Sequence, residues 1–297
     1  MDRVRKLIGL EALENKYGIR YDGFGIGVAV LDTGVCIENK DVGDRVWAFK
    51  DFVNNREVCY DDNGHGTHIA GIIGGNGINS KGRYRGIAPN CHFIVAKVLD
   101  EDGNGTVENV KHAVNWVIQY KLRYNIKILN ISIGMFPDAK TKEQKELLEI
   151  VEKAWDSGLV VVVAAGNNGP ETMSITNPGI SPKVITVGAI RERRVQRYYS
   201  GIGPTKECVM KPELIAPGQK IISCKNERTG YISKSGSSMA TPVVSGVIAL
   251  LLQKEPYLMP IDVKIRLYEK AEDLGIGKKL QGWGTINAIK LLTDNRN

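Results

Sequence analysis

Short apolar runs recur along this chain, and each stops abruptly at small or polar residues. Val28-Ala29-Val30-Leu31 ends at Asp32-Thr33-Gly34, and residues 93–99 end at Asp100, Glu101, Asp102 and Gly103. Ile128-Leu129-Asn130-Ile131 ends at Ser132-Ile133-Gly134, residues 159–165 end at Gly166-Asn167-Asn168-Gly169, and residues 184–187 end at Gly188. A strand with one wet face alternates apolar with polar, so continuous Val, Ile and Leu predict strands covered on both faces, as in parallel sheets. Between the runs the spacing becomes helical. Residues 106–120 set Val107, Val110, Val114 and Val117 on one side, and residues 141–155 do the same with Leu147, Leu148, Val151 and Trp155. Residues 240–253 read as a helix buried nearly all round, with Pro242 in its first turn, where a missing N–H costs least. The alternation predicts an α/β fold, a three-layer doubly wound sandwich on a mostly parallel central sheet. Ligands of such sheets gather at the carboxyl ends of the strands, where this sequence turns polar and Gly-rich.

The chain has 297 residues without an internal repeat, a low-complexity tract or a linker-like stretch, so a single domain over residues 1–297 is expected. Hydrophobic residues make up 42%, enough for a large core at this length. The net charge of +7 is modest and dispersed; only Arg191, Arg193, Arg194 and Arg197 cluster, and they read as a solvated loop after a strand. With no basic stripe interleaved with aromatics and no zinc-ligand spacing, nucleic acid is not expected as a partner. The longest apolar run, residues 243–252, contains Ser245 and Gly246. It is far shorter than the roughly 20 residues that span a membrane. Residues 1–10 begin with charges, and Glu11 interrupts the apolar stretch before a signal-peptide core could form. The five cysteines, Cys36, Cys59, Cys91, Cys208 and Cys224, are odd in number and show no close-spaced metal pair. Reduced thiols without disulfide or metal, and a cytoplasmic location, are the expectation.

Three segments carry candidate chemistry. Asp32 follows a strand, where an isolated Asp is ordinarily a turn or cap residue. His65 lies in Asn63-Gly64-His65-Gly66-Thr67-His68, a helix start whose first side chain can face a site. No Glu lies between the two histidines to make a zincin-type motif. Ser238 lies in Ser235-Gly236-Ser237-Ser238-Met239-Ala240, at the start of the buried helix. A Ser there is by default an N-cap. The free N–H groups of a helix start also suit an oxyanion beside the hydroxyl, and spacing alone leaves both readings open.

Taken together, and in that chain order, the segments resemble the subtilisin family (subtilases). The matching strings are residues 28–34 (VAVLDTG), 63–71 (NGHGTHIAG), 163–169 (VAAGNNG) and 236–242 (GSSMATP), with Gly86-Ile87-Ala88-Pro89 and residues 214–218 (LIAPG) as two more. The resemblance runs from about residue 8 to residue 292 and implies a serine endopeptidase acting through an acyl-enzyme. Position by position it implies Ser238 as nucleophile, with Ser237 as backbone support. It implies His65 as general base and acid, His68 as a packing residue, and Asp32 as the group that orients His65. It further implies that Asn167 donates to the oxyanion together with the Ser238 N–H. All of these positions being intact argues against the alternative of a triad-less binding module.

The same resemblance implies that Gly103-Asn104-Gly105 and Ser132-Ile133-Gly134 sandwich an extended protein or peptide substrate, by addition of a strand. Val107, Val110 and Ile133 would line an apolar pocket four residues before the cleavage point. Ser132 to Gly134, Ala164, Ala165, Gly166 and Asn168 would border the pocket beside the scissile bond. No acidic residue is placed there to demand a basic side chain, so broad, apolar-leaning specificity is expected. A cis peptide is implied at Asn177-Pro178. No cofactor is implied for catalysis. The family's structural calcium is set against by residues 74–85 (GGNGINSKGRYR), which are longer, more Gly-rich and more basic than the calcium loop of secreted subtilisins, although Asp41 stands at a ligand position. A chain starting at the catalytic domain, with no inhibitory propeptide, resembles intracellular subtilisins of Gram-positive bacteria. Oligomeric state is not legible.

Overall fold

The computed structural model describes residues 1–134, 141–190 and 199–293. The arginine cluster at 191, 193, 194 and 197 lies outside the described residues. The chain opens with α1 (Asp2–Leu7), α2 (Leu10–Lys16), β1 (Gly27–Asp32) and β2 (Val46–Asp51). It continues through α3 (His65–Gly74), β3 (His92–Lys97), α4 (Val107–Tyr120), β4 (Ile126–Ile131), α5 (Thr141–Asp156) and β5 (Val160–Ala164). Then come β6 (Ile185–Ala189), β7 (Leu214–Ala216), β8 (Ile221–Cys224), β9 (Tyr231–Lys234), α6 (Ser237–Lys254), α7 (Pro260–Lys270), α8 (Lys278–Gln281) and α9 (Ala288–Leu292).

Seven strands form one sheet in the order β2-β3-β1-β4-β5-β6-β7, every neighbouring pair parallel. β8 and β9 make a separate antiparallel hairpin. The apolar runs are the buried strands: β1, β3, β5, β6 and β7 are buried at every position. α3 and α6 pack on each other, α6 lying along β4 to β7 and α3 against β1 and β8. α4 and α5 pack on each other and on β1, β3 and β5, giving the expected sandwich with helices on both sides. β1 has β3 and β2 on one side and β4 to β7 on the other, so the strand order reverses at β1, and the crevice outside its carboxyl end is where such sheets bind ligands.

Some elements left no signal in the apolar pattern. β2 is a partly exposed edge strand (VWAFKD) whose apolar run is broken by exposed Lys50 and by Asp51, which is buried and accepts from Val53 N, Asn54 N and Tyr60 OH. α6 begins at Ser237, three residues ahead of the predicted start, because the small polar residues Ser237 and Ser238 already adopt helical geometry behind Gly236. Ser245 lies in α6 yet stays paired, its hydroxyl donating to Asn130 Oδ1 at 2.8 Å, while Asn130 Nδ2 donates to Ser132 Oγ at 2.9 Å. The Asn inside the β4 run is thus a satisfied buried polar link between helix and sheet.

Candidate active site

Asp32 is the last residue of β1 and is fully buried, with the Thr33 N–H donating to its Oδ1 at 2.8 Å. His65 opens α3 and sets Nδ1 at 2.7 and 2.9 Å from the two Asp32 carboxylate oxygens. With Nδ1 donating there, Nε2 is left as an acceptor directed elsewhere. The approach of β1 to α3 needs Gly66, since a Cβ there would come within 2.1 Å of the Gly34 carbonyl oxygen. The turn that delivers His65 is organised by Asp61. Its Oδ1 accepts from Thr33 Oγ1 (2.9 Å), Asn63 N (3.1 Å) and Gly64 N (2.7 Å), and its Oδ2 from Thr67 N (2.9 Å) and Thr67 Oγ1 (2.5 Å). One carboxylate therefore satisfies a first-turn N–H of α3 and ties it to the exit of β1.

Burial disfavours the His65 imidazolium, but the Asp32 charge and its hydrogen bond outweigh that, and the pKa is raised above 6.5. His68 shows the opposite balance. It is fully buried with Nε2 at 3.1 Å from the carbonyl oxygens of Ile221 and Ile232, and burial pulls its pKa down to about 3. It is a neutral packing residue at physiological pH.

α6 places the two serines differently. Gly236 is the N-cap, and no side chain caps the helix, so Ser238 does not serve as an N-cap. Ser237 is fully buried, its N–H and hydroxyl both directed at Asn167 Oδ1, at 2.9 and 3.2 Å. Ser238 is half-buried and lines a cavity of about 400 Å³ together with His65 and Asn167.

Of the cleft residues read from the sequence, Gly103, Ser132, Ile133, Gly134, Ala164, Gly166 and Asn168 line this cavity. Thr33, Asn63, Leu99, Asp102 and Thr176 complete its wall. Asn104, Gly105 and Val110 line an adjoining cavity of about 220 Å³, with Gly103, Ile133 and Gly134 shared between the two. Val107 and Ala165 are buried and line neither cavity. The smaller cavity also takes Leu99, Ile131, Leu147 and Pro178, which give it apolar walls. The Asn177-Pro178 peptide is cis.

Calcium does not fit the Asp41 corner. Asp41 is fully buried, and both carboxylate oxygens already accept hydrogen bonds: Oδ2 from Tyr231 OH at 2.6 Å, Oδ1 from Asn79 N at 2.9 Å. Carbonyl oxygens of the following loop are used internally, Gly77 O by Ser80 N and Gly82 N and Ile78 O by Lys81 N. Some of these oxygens keep a lone pair, but a donor already stands against each, and calcium would have to displace those donors to gather its roughly six to eight oxygens. Among the described residues no group of three or more His, Cys, Asp or Glu could hold a metal ion. All five cysteines are free, Cys208 exposed and the rest buried; burial pushes the thiols of Cys36, Cys59 and Cys91 up to about 11, 12 and 12.

Residues 23–284 match the model of the subtilase family. The chain belongs to the subtilase family. Serine protease AprX of Bacillus subtilis (strain 168) is 40% identical over 295 residues, covering 90% of this chain and 66% of that protein. The major intracellular serine protease of the same strain is 33% identical over 278 residues, covering 89% of this chain and 81% of that protein. A crystal structure of a cold adapted subtilisin-like serine proteinase superposes with a TM-score of 0.76 at 33% identity, over 94% of this chain and 93% of that one. Membership and fold together identify a serine endopeptidase hydrolase, a class that acts on proteins and peptides and needs no cofactor for catalysis. No described helix is long and apolar enough to cross a membrane.

Two residues that tie together the segments around Asp32 and His65 were missed in the sequence. Asp61, four residues before His65, stands where a side chain can satisfy a helix start. Lys97 is a charge inside the apolar run of β3, a contradiction that marks a buried, fully paired cation.

Proposed function

We propose that Asp32, His65 and Ser238 form the catalytic triad of an endopeptidase that cleaves extended segments of proteins and peptides. The observation that carries this is the two-pronged contact of His65 Nδ1 with Asp32, at 2.7 and 2.9 Å, on a cavity that Ser238 shares with His65. His65 Nε2 takes the proton from Ser238 Oγ as that oxygen attacks the scissile carbonyl carbon. The carbonyl oxygen becomes an oxyanion held by the Ser238 N–H at the start of α6 and by the Asn167 carboxamide N–H. His65 Nε2–H then protonates the departing amine nitrogen, leaving an acyl-Ser238 ester. Water, deprotonated by His65, attacks that ester and regenerates the hydroxyl. Asp32 fixes the tautomer and stabilises the imidazolium between these transfers.

Residues 103–105 and 132–134 hold the substrate as a strand between them, with main-chain bonds that are indifferent to sequence. The 220 Å³ cavity, walled by Leu99, Val110, Ile131, Ile133 and Leu147, takes an apolar side chain four residues before the cleaved bond. The chain acts as a single catalytic domain, in the cytoplasm, where its unpaired thiols stay reduced. Labelling by a fluorophosphonate tests the mechanism. One adduct per chain, mapped to Ser238 and lost in Ser238→Ala, is expected; labelling of Ser237 instead overturns the assignment. A peptide-library cleavage profile then reads the side-chain preference.

A further inference from the structure

Lys97 is the last residue of β3, in register with Asp32 on one side and with Asp51 on the other. Its side chain is fully buried, and its ammonium makes three hydrogen bonds: to Thr33 O at 2.8 Å, to Leu99 O at 2.8 Å and to Asp62 Oδ1 at 2.6 Å. A lysine has three protons to donate, so the group is saturated. The Tyr60 ring covers it, 4.9 Å from nitrogen to centroid. A buried charge is expensive unless paired and fully bonded, and this one is both.

The three acceptors belong to three different parts of the site. Thr33 is the residue after Asp32, and its hydroxyl also receives the Gly66 N–H at 3.0 Å, one residue beyond His65. Asp62 begins the turn that delivers His65. Leu99 opens the hairpin closed by the Leu99–Gly105 bridge, whose residues 103–105 flank the substrate, and it borders both cavities. We infer that Lys97 is a positioning residue which fixes the Asp32 turn, the His65 turn and the substrate-binding hairpin relative to one another through a single buried ammonium. The inference rests on the Asp32–His65–Ser238 reading. It assigns Lys97 no contact with substrate and no proton transfer.

The three limbs predict separable kinetic effects. Asp62 is on the surface side of the network, its side chain 27% exposed, so Asp62→Ala opens a path by which water can reach the Lys97 ammonium it leaves unpaired. That variant unties the ammonium from the His65 turn, which Asp61 still organises, while the bonds to Thr33 and Leu99 remain, so kcat is expected to fall about tenfold with KM unchanged. Lys97→Met keeps the volume and removes all three bonds, so kcat falls and KM rises together. Rates are taken per active site titrated with a fluorophosphonate, which corrects for any unfolded fraction. Wild-type kcat per titrated site in Asp62→Ala overturns the inference, as does a Lys97→Met enzyme with wild-type kcat and KM per site. If Lys97→Met does not fold, Asp62→Ala alone decides. A Ser238→Ala protein that still turns over sinks the triad reading itself. A dead Ser238→Ala protein beside a fully active Asp62→Ala enzyme sinks only the inference about Lys97.

Discussion

Ser237 donates its N–H and its hydroxyl to the same Asn167 carboxamide oxygen, at 2.9 and 3.2 Å. With the oxygen committed to the start of α6, the Asn167 NH2 is the end left to face the cavity that Ser238 and His65 line. Replacing Asn167 by Asp keeps an acceptor for Ser237 and removes the donor to the oxyanion. The expected result is a drop in kcat of at least about 10²-fold, the magnitude typical of lost oxyanion donors in this enzyme class rather than one derived from this chain. KM and melting temperature should stay near wild type. A kcat within a few-fold of wild type would remove Asn167 from the mechanism.

Ser238→Ala separates chemistry from folding. Because Gly236 rather than Ser238 caps α6, losing the hydroxyl should leave the melting temperature unchanged. A lost N-cap would instead cost about 1 kcal/mol. Turnover should fall to background. Thermal denaturation and a peptide assay on the one variant check both halves.

The sheet was legible because strands buried on both faces carry continuous apolar runs, which Val28 to Leu31 and Val160 to Val163 do without a break. β2 was not, since this edge strand is partly exposed, and β8 and β9 are short and held by α3 and by each other. Asp32, His65 and Ser238 were legible through their motifs, and the cleft Gly residues through the family resemblance. Val107 was placed at the pocket by the family resemblance, and neither cavity has it in its wall. It is buried, while Val110, one helical turn on, reaches the smaller cavity. Asp61 and Lys97 act through geometry that joins distant segments, and no local pattern reports such joins.

Calcium should add no stability at the Asp41 corner. Burial and the Asp41 carboxylate both push the Tyr231 phenol pKa up, so Tyr231 remains a donor across the accessible pH range. Melting temperature and rate of thermal inactivation, measured on Ser238→Ala protein to avoid self-digestion, should be the same in chelator and in millimolar calcium. Tyr231→Phe should lower stability equally in both, by about 2 kcal/mol for a lost hydrogen bond to a buried carboxylate. A calcium-dependent rise in melting temperature that Asp41→Asn abolishes would show a site there after all.

The last expectation concerns His65 and pH. Burial alone would lower its pKa, but the Asp32 charge and hydrogen bond prevail, so the folded value lies above 6.5. Catalysis needs the neutral imidazole, so kcat/KM should be lost as pH falls through that raised pKa and should reach a plateau on the alkaline side. Stability runs the other way. A raised pKa stabilises the folded state below the ordinary imidazole value, and the contribution disappears as pH rises through the folded one, so the optimum for activity and this part of stability are opposed. His68 cannot supply the acid limb, because burial holds it at about 3. Its depressed value instead gives stability that is present above the ordinary imidazole pKa and lost as pH falls below it. Asp32→Asn removes the term that raises His65. The limb of whatever activity remains should therefore move to lower pH, while the rate falls because the tautomer is no longer fixed. A kcat/KM profile of the wild type with its limb below 6.5, or one that Asp32→Asn leaves in place, would show that Asp32 does not control the ionisation of His65.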